Sequence, residues 1–273
     1  MKTLTVDTAA KRLLFHTIRV DTVLEDGSSG TGTAFVVTHT HARGQSAFVV
    51  TNRHIVEGVS SGSLVFTLAR DGQPVLGSRF ELHIDDFPHA WHLHPDPSVD
   101  LAIVPFAPLV QAARDQGMQL YWQAIDTRTL PNADELAHMD ALEEVLFVGY
   151  PSGVWDQVNG LPIMRRGTTA TPPMLDFEGR PEFLIDAAVY PGSSGSPVFM
   201  RADHQGGTAP DKLWFAGVVA AVFFREEANR LVSAPVPAST STVMGSEMID
   251  LGLVIKSRMV VELIEDFLRQ WRA

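Results

Sequence analysis

The sequence predicts an all-β protein in two similar halves, closed by a C-terminal α-helix. Short apolar runs rich in Val, Ile, Phe and Thr alternate with Gly, Pro, Asp and Ser clusters along most of the 273 residues. That is how a chain of many short strands reads. The runs fall into two sets of six, separated by a stretch in which strand patterning stops, and only the C-terminal end carries a clear 3.6-residue apolar period.

The first set of strands is expected at Leu13 to Val20, Gly32 to Thr38, Ser46 to Thr51, Leu64 to Ala69, Arg79 to Ile84 and Leu101 to Phe106. From Ala107 to Glu144, Ala, Gln, Asp, Leu and Glu take over, and Asn132 with Glu135 three residues on forms a capping pair for a short helix over Ala133 to Glu143. The second set is expected at Val145 to Gly149, Ile163 to Thr169, Phe183 to Ala188, Pro197 to Met200, Leu213 to Phe223 and Leu251 to Ile255. This divides the chain into an N-terminal half at 1–106, a connection at 107–144 and a C-terminal half at 145–273. In the closing helix Val260, Leu263, Ile264, Phe267, Leu268 and Trp271 share one face, with Glu262, Glu265, Asp266, Arg269 and Gln270 on the other. The stretch Ala234 to Thr242 reads as a polar loop.

Composition excludes several functions. Thirty-two acidic residues against 21 basic give a net charge of −11, with no basic stripe to displace counterions, so nucleic-acid binding and attachment to anionic membranes are not expected. No apolar run approaches the roughly 20 residues that span a bilayer. The N-terminus reads as mature protein, because Asp7 and Lys11-Arg12 break any signal-like apolar run. The absence of cysteine removes thiolate nucleophiles, cysteine-ligated metals and disulfides, and favours a reducing compartment, so a cytoplasmic protein is expected.

Three segments at strand ends hold candidate chemistry. SAFVVTNRHIVEG puts His54 after an apolar run, PSVDLAIVPF puts Asp100 at the head of another, and YPGSSGSPVF puts Ser193 and Ser194 in a glycine-bounded turn. A hydroxyl becomes a nucleophile at neutral pH when a base takes its proton, and that base needs a carboxylate to fix its tautomer. The three segments supply one residue type each.

The order His, Asp, Ser and the motifs TNRHIV, DLAIV and DAAVYPGSSGSP resemble the chymotrypsin-like serine proteases, most closely the protease domain of the bacterial HtrA/Deg group. Gly149-Tyr150-Pro151-Ser152-Gly153 is similar to that group's G-x-P-x-G strand end, Gly167 to Ala170 to its glycine-led strand, and LGLVIKSRMV to the segment before its closing helix. The likeness runs from about residue 30 to the C-terminus. It implies two six-stranded antiparallel β-barrels with a cleft between them. It further implies His54 as general base, Asp100 as its orienting carboxylate and Ser194 as nucleophile. The segment Gly192, Ser193 and Ser194 would form the oxyanion hole, with the N–H groups of Gly192 and Ser194 as donors.

By the same resemblance Ala188 floors the substrate pocket and Val219, Ala220 and Ala221 wall it. With no acid at these positions, small or medium apolar P1 residues are expected in place of Arg or Lys. Ser193 stands where zymogen-activated relatives carry aspartate, so that activation switch is not encoded, and Ser196 replaces the group's second glycine. The implied activity is a serine endopeptidase acting on protein or peptide substrates, without metal or organic cofactor. The alternative is a catalytically silent or partner-activated protein of the same fold, with a regulatory protein partner at 201–212 or 230–246.

Other features have plainer readings. His89, His92 and His94 lack a fourth ligand and the H-E-x-x-H pattern, so a zinc site is not expected. His39 and His41 are expected to be solvated in a hairpin. The run Gly30 to Phe35 lacks the lysine and following helix of a phosphate loop.

Overall fold

The computed structural model describes residues 4–201, 213–230 and 242–271. The Thr8 hydroxyl caps α1 (Ala9–Leu13), which precedes β1 (Thr17–Leu24). β2 (Ser29–His41) and β3 (Gly44–Thr51) then form a hairpin, and the single turn α2 (Arg53–Val56) leads into β4 (Val59–Arg70). β4 pairs with β5 (Gln73–Ile84) through the turn Asp71-Gly72, both at positive φ. An Asp-Gly pair with left-handed φ matches the twist of a tight hairpin.

Two-residue β6 (His92–Leu93) and β7 (Ala102–Pro105) add to the β3 side, and β8 (Leu120–Tyr121) and β9 (Ile125–Asp126) attach to β4 and β2. The result is a nine-stranded sheet with main order β5-β4-β1-β2-β3-β7-β6. The expected first six-stranded barrel is therefore not closed. Between β5 and β6 the chain makes a 3-10 turn at Phe87–Ala90, and the buried Phe87 ring lies over Gly62 of β4, where a Cβ would meet it at 2.7 Å.

The second half closes as expected. β10 (Glu144–Gly149), β11 (Ile163–Thr169), β12 (Glu182–Asp186), β13 (Pro197–Arg201), β14 (Leu213–Arg230) and β15 (Thr242–Lys256) form a barrel in the order β10-β11-β12-β15-β14-β13. β14 and β15 run past the expected ends and pair out to Arg230↔Thr242. Residues 242–246, expected in a loop, are thus strand. Of the two expected partner surfaces, 201–212 and 230–246, residues 202–212 and 231–241 lie outside the described residues.

The connection holds more helix than its composition predicts. α3 (Phe106–Asp115) buries Phe106, Leu109 and Ala113 on one face. α4 (Ala133–Ala137) has the predicted capping box, Asn132 Oδ1 accepting from Glu135 N and Glu135 Oε2 from Asn132 N. It ends six residues early, because Thr169 takes over the following backbone: its Oγ1 donates to Asp140 O and accepts from Glu143 N. α5 (Ser257–Gln270) closes the chain.

The core explains why β2 and β3 read as continuous apolar runs. Ala34, Val36 and Val49 face the interior of the first sheet, while Phe35, Val37, Phe48 and Val50 face the second half. Alternate side chains point to opposite faces, so strands buried on both sides have no polar alternation. Phe35, Phe48, Leu101, Phe199, Phe215 and Val218 form one cluster with Met259, Val260, Leu263 and Ile264 of α5. The apolar face of α5 therefore seals the joint between halves, except that Trp271 stays 75% exposed. Among the described residues no helix is long and apolar enough to cross a membrane.

Candidate active site

The joint brings together the ends of β3 and β7 and the turn before β13. Asn52, fully buried after β3, donates from Nδ2 to the Asp100 carbonyl at 2.8 Å, tying the His54 turn to the Asp100 turn. The Asp100 carboxylate faces α2. Its Oδ2 lies 2.6 Å from His54 Nδ1 and its Oδ1 accepts from His54 N at 2.9 Å. A carboxylate can only accept, so Nδ1 carries the proton and Nε2 is left as the basic nitrogen. Half of the His54 side chain is exposed.

The two serines of the PGSSGSP turn part company. Ser193 is buried, its Oγ accepting from Tyr190 N at 3.4 Å and its own N donating to Tyr190 O at 2.9 Å. Ser194 is partly exposed, and its Oγ donates to the Ala220 carbonyl at 3.4 Å. Among the described residues no hydrogen bond joins it to His54. Gly192 and Gly195 hold φ of +84° and +82°. A Cβ on Gly192 would meet Tyr150 O at 2.7 Å, and one on Gly195 would collide with Thr33 O. Both positions need glycine for conformation and for room.

The carbonyls of this turn point outward onto fixed donors. Pro191 O accepts from Ser152 N, Gly192 O from Thr33 Oγ1 at 3.1 Å, and Ser194 O from Thr33 N at 3.0 Å. In a trans peptide the N–H points opposite to the carbonyl, so Gly192 N–H is turned away from Ser152. Among the described residues the N–H groups of Gly192 and Ser194 have no acceptor. They are available to an incoming oxygen.

The loop bearing Ser152 is anchored across the joint. Asn159 O accepts from Gly77 N at 2.8 Å, and Trp155 lies under the guanidinium groups of Arg19 and Arg79, at 4.9 and 4.4 Å.

Of the expected pocket residues, Ala188 is partly open and Ala221 exposed, and Ala220 carries the carbonyl that meets Ser194. Val219 points into the second-half core, so it can line a cleft only with backbone. Glu182 is the nearby electrostatic outlier. Burial raises its carboxyl pKa, Arg180 works against that, and the charges of Asp100 and Glu178 add to it.

The histidine-rich run turns to α5: His92 Nε2 lies 3.0 Å from Asp266 Oδ2 and His94 Nε2 3.9 Å from Glu262 Oε1, while His89 meets Asp86. Among the described residues no three acidic or histidine side chains gather to hold a metal ion. His39 departs from its expected solvation. It is buried, with Nδ1 3.0 Å from Thr127 Oγ1, and burial lowers its pKa.

Residues 32–206 match the model of the trypsin-like peptidase domain. The chain belongs to that family. No curated protein matches this trypsin-like peptidase domain. Solved structures similar to it include the HtrA-type protease AlgW with a tripeptide, at 16% identity and a TM-score of 0.52, covering 98% of this chain and 64% of that one. The same protease with a decapeptide gives 14% identity, a TM-score of 0.52 and coverage of 97% and 68%. The serine endoprotease from Yersinia pestis gives 12%, 0.51, 98% and 68%. At these identities the likeness is one of fold. The trypsin-like peptidase domain spans less than two thirds of the length of the AlgW–tripeptide chain.

The sequence pointed to His54, Asp100, Ser193 and Ser194, and the structure pairs His54 with Asp100 and separates the two serines by burial. Sequence reasoning missed Asn52, Ser152 and Thr33, whose parts depend on carbonyls that no motif displays. A threonine inside an apolar strand, as in GTGTAF, is the one signal that pointed to Thr33.

Proposed function

We propose that the chain is a serine endopeptidase with Ser194 as nucleophile, His54 as general base and Asp100 as the group that orients it. The observation that carries this reading is the double contact of Asp100 with His54, which leaves Nε2 as the unprotonated ring nitrogen. Nε2 takes the Ser194 proton as Oγ attacks the peptide carbonyl, the oxyanion is held by the N–H groups of Gly192 and Ser194, and His54⁺ protonates the leaving amine. Water repeats the cycle on the acyl-enzyme. Substrates are proteins or peptides, with small or medium apolar P1 residues received over Ala188 and the strand at Val219 to Ala221.

One observation favours a second reading, a protein that is silent until a partner acts: the Ser194 hydroxyl is engaged with Ala220 O and not with His54. Catalytic hydrogen bonds are often unformed in free enzymes and tighten only with substrate, which supports the first reading over the second. A fluorophosphonate probe decides. Labelling of the purified chain, lost in Ser194→Ala and kept in Ser193→Ala, is expected. A folded wild type that stays unlabelled overturns constitutive activity, and equal loss in both variants overturns the choice of Ser194.

A further inference from the structure

Thr33 sits on β2, fully buried, and all of its polar atoms are committed to the joint. Its N donates to Ser194 O at 3.0 Å, and its O accepts from Thr51 Oγ1 at 2.7 Å. Its hydroxyl works in both directions: Oγ1 donates to Gly192 O at 3.1 Å and accepts from Tyr150 N at 3.1 Å. One side chain of the first half thus joins the Gly192 peptide to the Tyr150 strand end of the second, and Tyr150 leads directly to Ser152, the donor to Pro191 O.

We infer that the Thr33 hydroxyl is a positioning group for the oxyanion hole: it anchors the Gly192–Ser193 peptide by its carbonyl, while Ser152 N holds the preceding Pro191–Gly192 peptide by Pro191 O, and together they keep the Gly192 N–H turned to the substrate oxygen. The inference rests on the serine peptidase reading of the same site. Glycine at 192 is what makes such a restraint necessary. With no Cβ, its backbone can rotate at little cost, and a rotation that flips the Pro191–Gly192 peptide would put the Pro191 oxygen where the oxyanion must form; an anchored Gly192 carbonyl opposes that rotation from the other side of the residue. Ordinary backbone pairing cannot restrain that carbonyl, because the turn is not part of any ladder. A hydroxyl from a strand that is itself pinned at N and O can. Valine at this position would keep the volume and the methyl group but remove the donor to Gly192 O and the acceptor for Tyr150 N, leaving both unpaired in a buried place.

The test compares wild type with Thr33→Val and Thr33→Ser on an amide peptide substrate, a peptide aldehyde and the matching non-reactive peptide. The hemiacetal of an aldehyde places an oxyanion in the hole, whereas the plain peptide does not. Thr33→Val is expected to lower kcat tenfold or more with KM changed less than about threefold, and to weaken the aldehyde tenfold or more while the plain peptide binds within about twofold of wild type. Thr33→Ser should restore both readouts, since it returns the hydroxyl. A purely structural role would move the aldehyde and the plain peptide together, and that result overturns the inference. So does a Thr33→Val enzyme whose kcat stays within twofold of wild type, or a Thr33→Ser enzyme as impaired as the valine variant.

If Thr33→Val does not fold, a crystal structure of the wild-type aldehyde adduct is the second measurement. Gly192 O still on Thr33 Oγ1 with the oxyanion on Gly192 N supports the inference, and Gly192 O released from Thr33 overturns it. A wild type that reacts with no serine-directed probe overturns the peptidase reading and this inference with it. A reactive wild type matched by Thr33→Val overturns this inference alone.

Discussion

Asp100 holds His54 at two points, the ring through Nδ1 at 2.6 Å and the main chain through N at 2.9 Å. The first bond sets the tautomer and the second fixes the turn that carries the ring. Asp100→Asn keeps the shape but offers an amide in place of one acceptor. The expected outcome is a fall in kcat on the order of 10³- to 10⁴-fold with little change in thermal stability, read from steady-state kinetics and a melting curve.

Gly195→Ala tests the fit of the serine turn against β2. The substitution puts a Cβ onto Thr33 O at a backbone φ of +82°. The left-handed conformation alone costs an L-residue about 1–2 kcal/mol, and the collision adds to it. A loss of at least about 2 kcal/mol in urea denaturation is expected, with peptidase activity abolished.

His16 supplies a pH dependence of stability. Burial is the main cause that lowers its pKa from 6.5 to about 4, with a bond to the Gln123 backbone opposing it and the Arg12 charge assisting. The unfolded chain therefore binds a proton that the folded chain refuses between these values. Stability is fully present above pH 6.5 and falls as pH drops toward 4, by an amount on the order of 3 kcal/mol. Denaturation midpoints at pH 7 and pH 4 should differ less in His16→Gln than in wild type. An equal difference in both removes His16 as the source.

Ala188 is the handle on specificity. A peptide library on the wild type should be dominated by small or medium apolar P1 residues, and Ala188→Asp should shift it toward Lys and Arg by placing a carboxylate under the side chain. A wild-type profile dominated by Lys or Arg overturns the assignment of Ala188 to the pocket floor.

Much of the fold was legible because strands and turns leave local marks. The strands of the second half follow from apolar runs such as Val145 to Gly149, Ile163 to Thr169 and Pro197 to Met200, their closure into a barrel is what the family resemblance implied, and the Asn132–Glu135 cap is visible as a pair of letters. The first half was less legible. Whether its sheet closes depends on pairing between strands far apart in the chain, and α3 was hidden because its few buried residues sit among Ala, Gln and Asp. The continuation of β14 and β15 to Arg230↔Thr242 was hidden as well, since polar residues paired in a ribbon look like loop.

By itself the sequence determined the all-β class, the closing helix and the residue types His54, Asp100 and Ser194 with the glycines at 192 and 195. These follow from local periodicity and from a turn that only glycine can make. Tertiary structure decided the rest: that Ser193 is buried and Ser194 is not, that the Ser194 hydroxyl rests on Ala220 O, and that Thr33 joins both halves through the Gly192 carbonyl. Each of these is a contact between segments distant in sequence. Such contacts exist only once packing of the two halves has set where a carbonyl points, and no residue letter records the direction of a carbonyl.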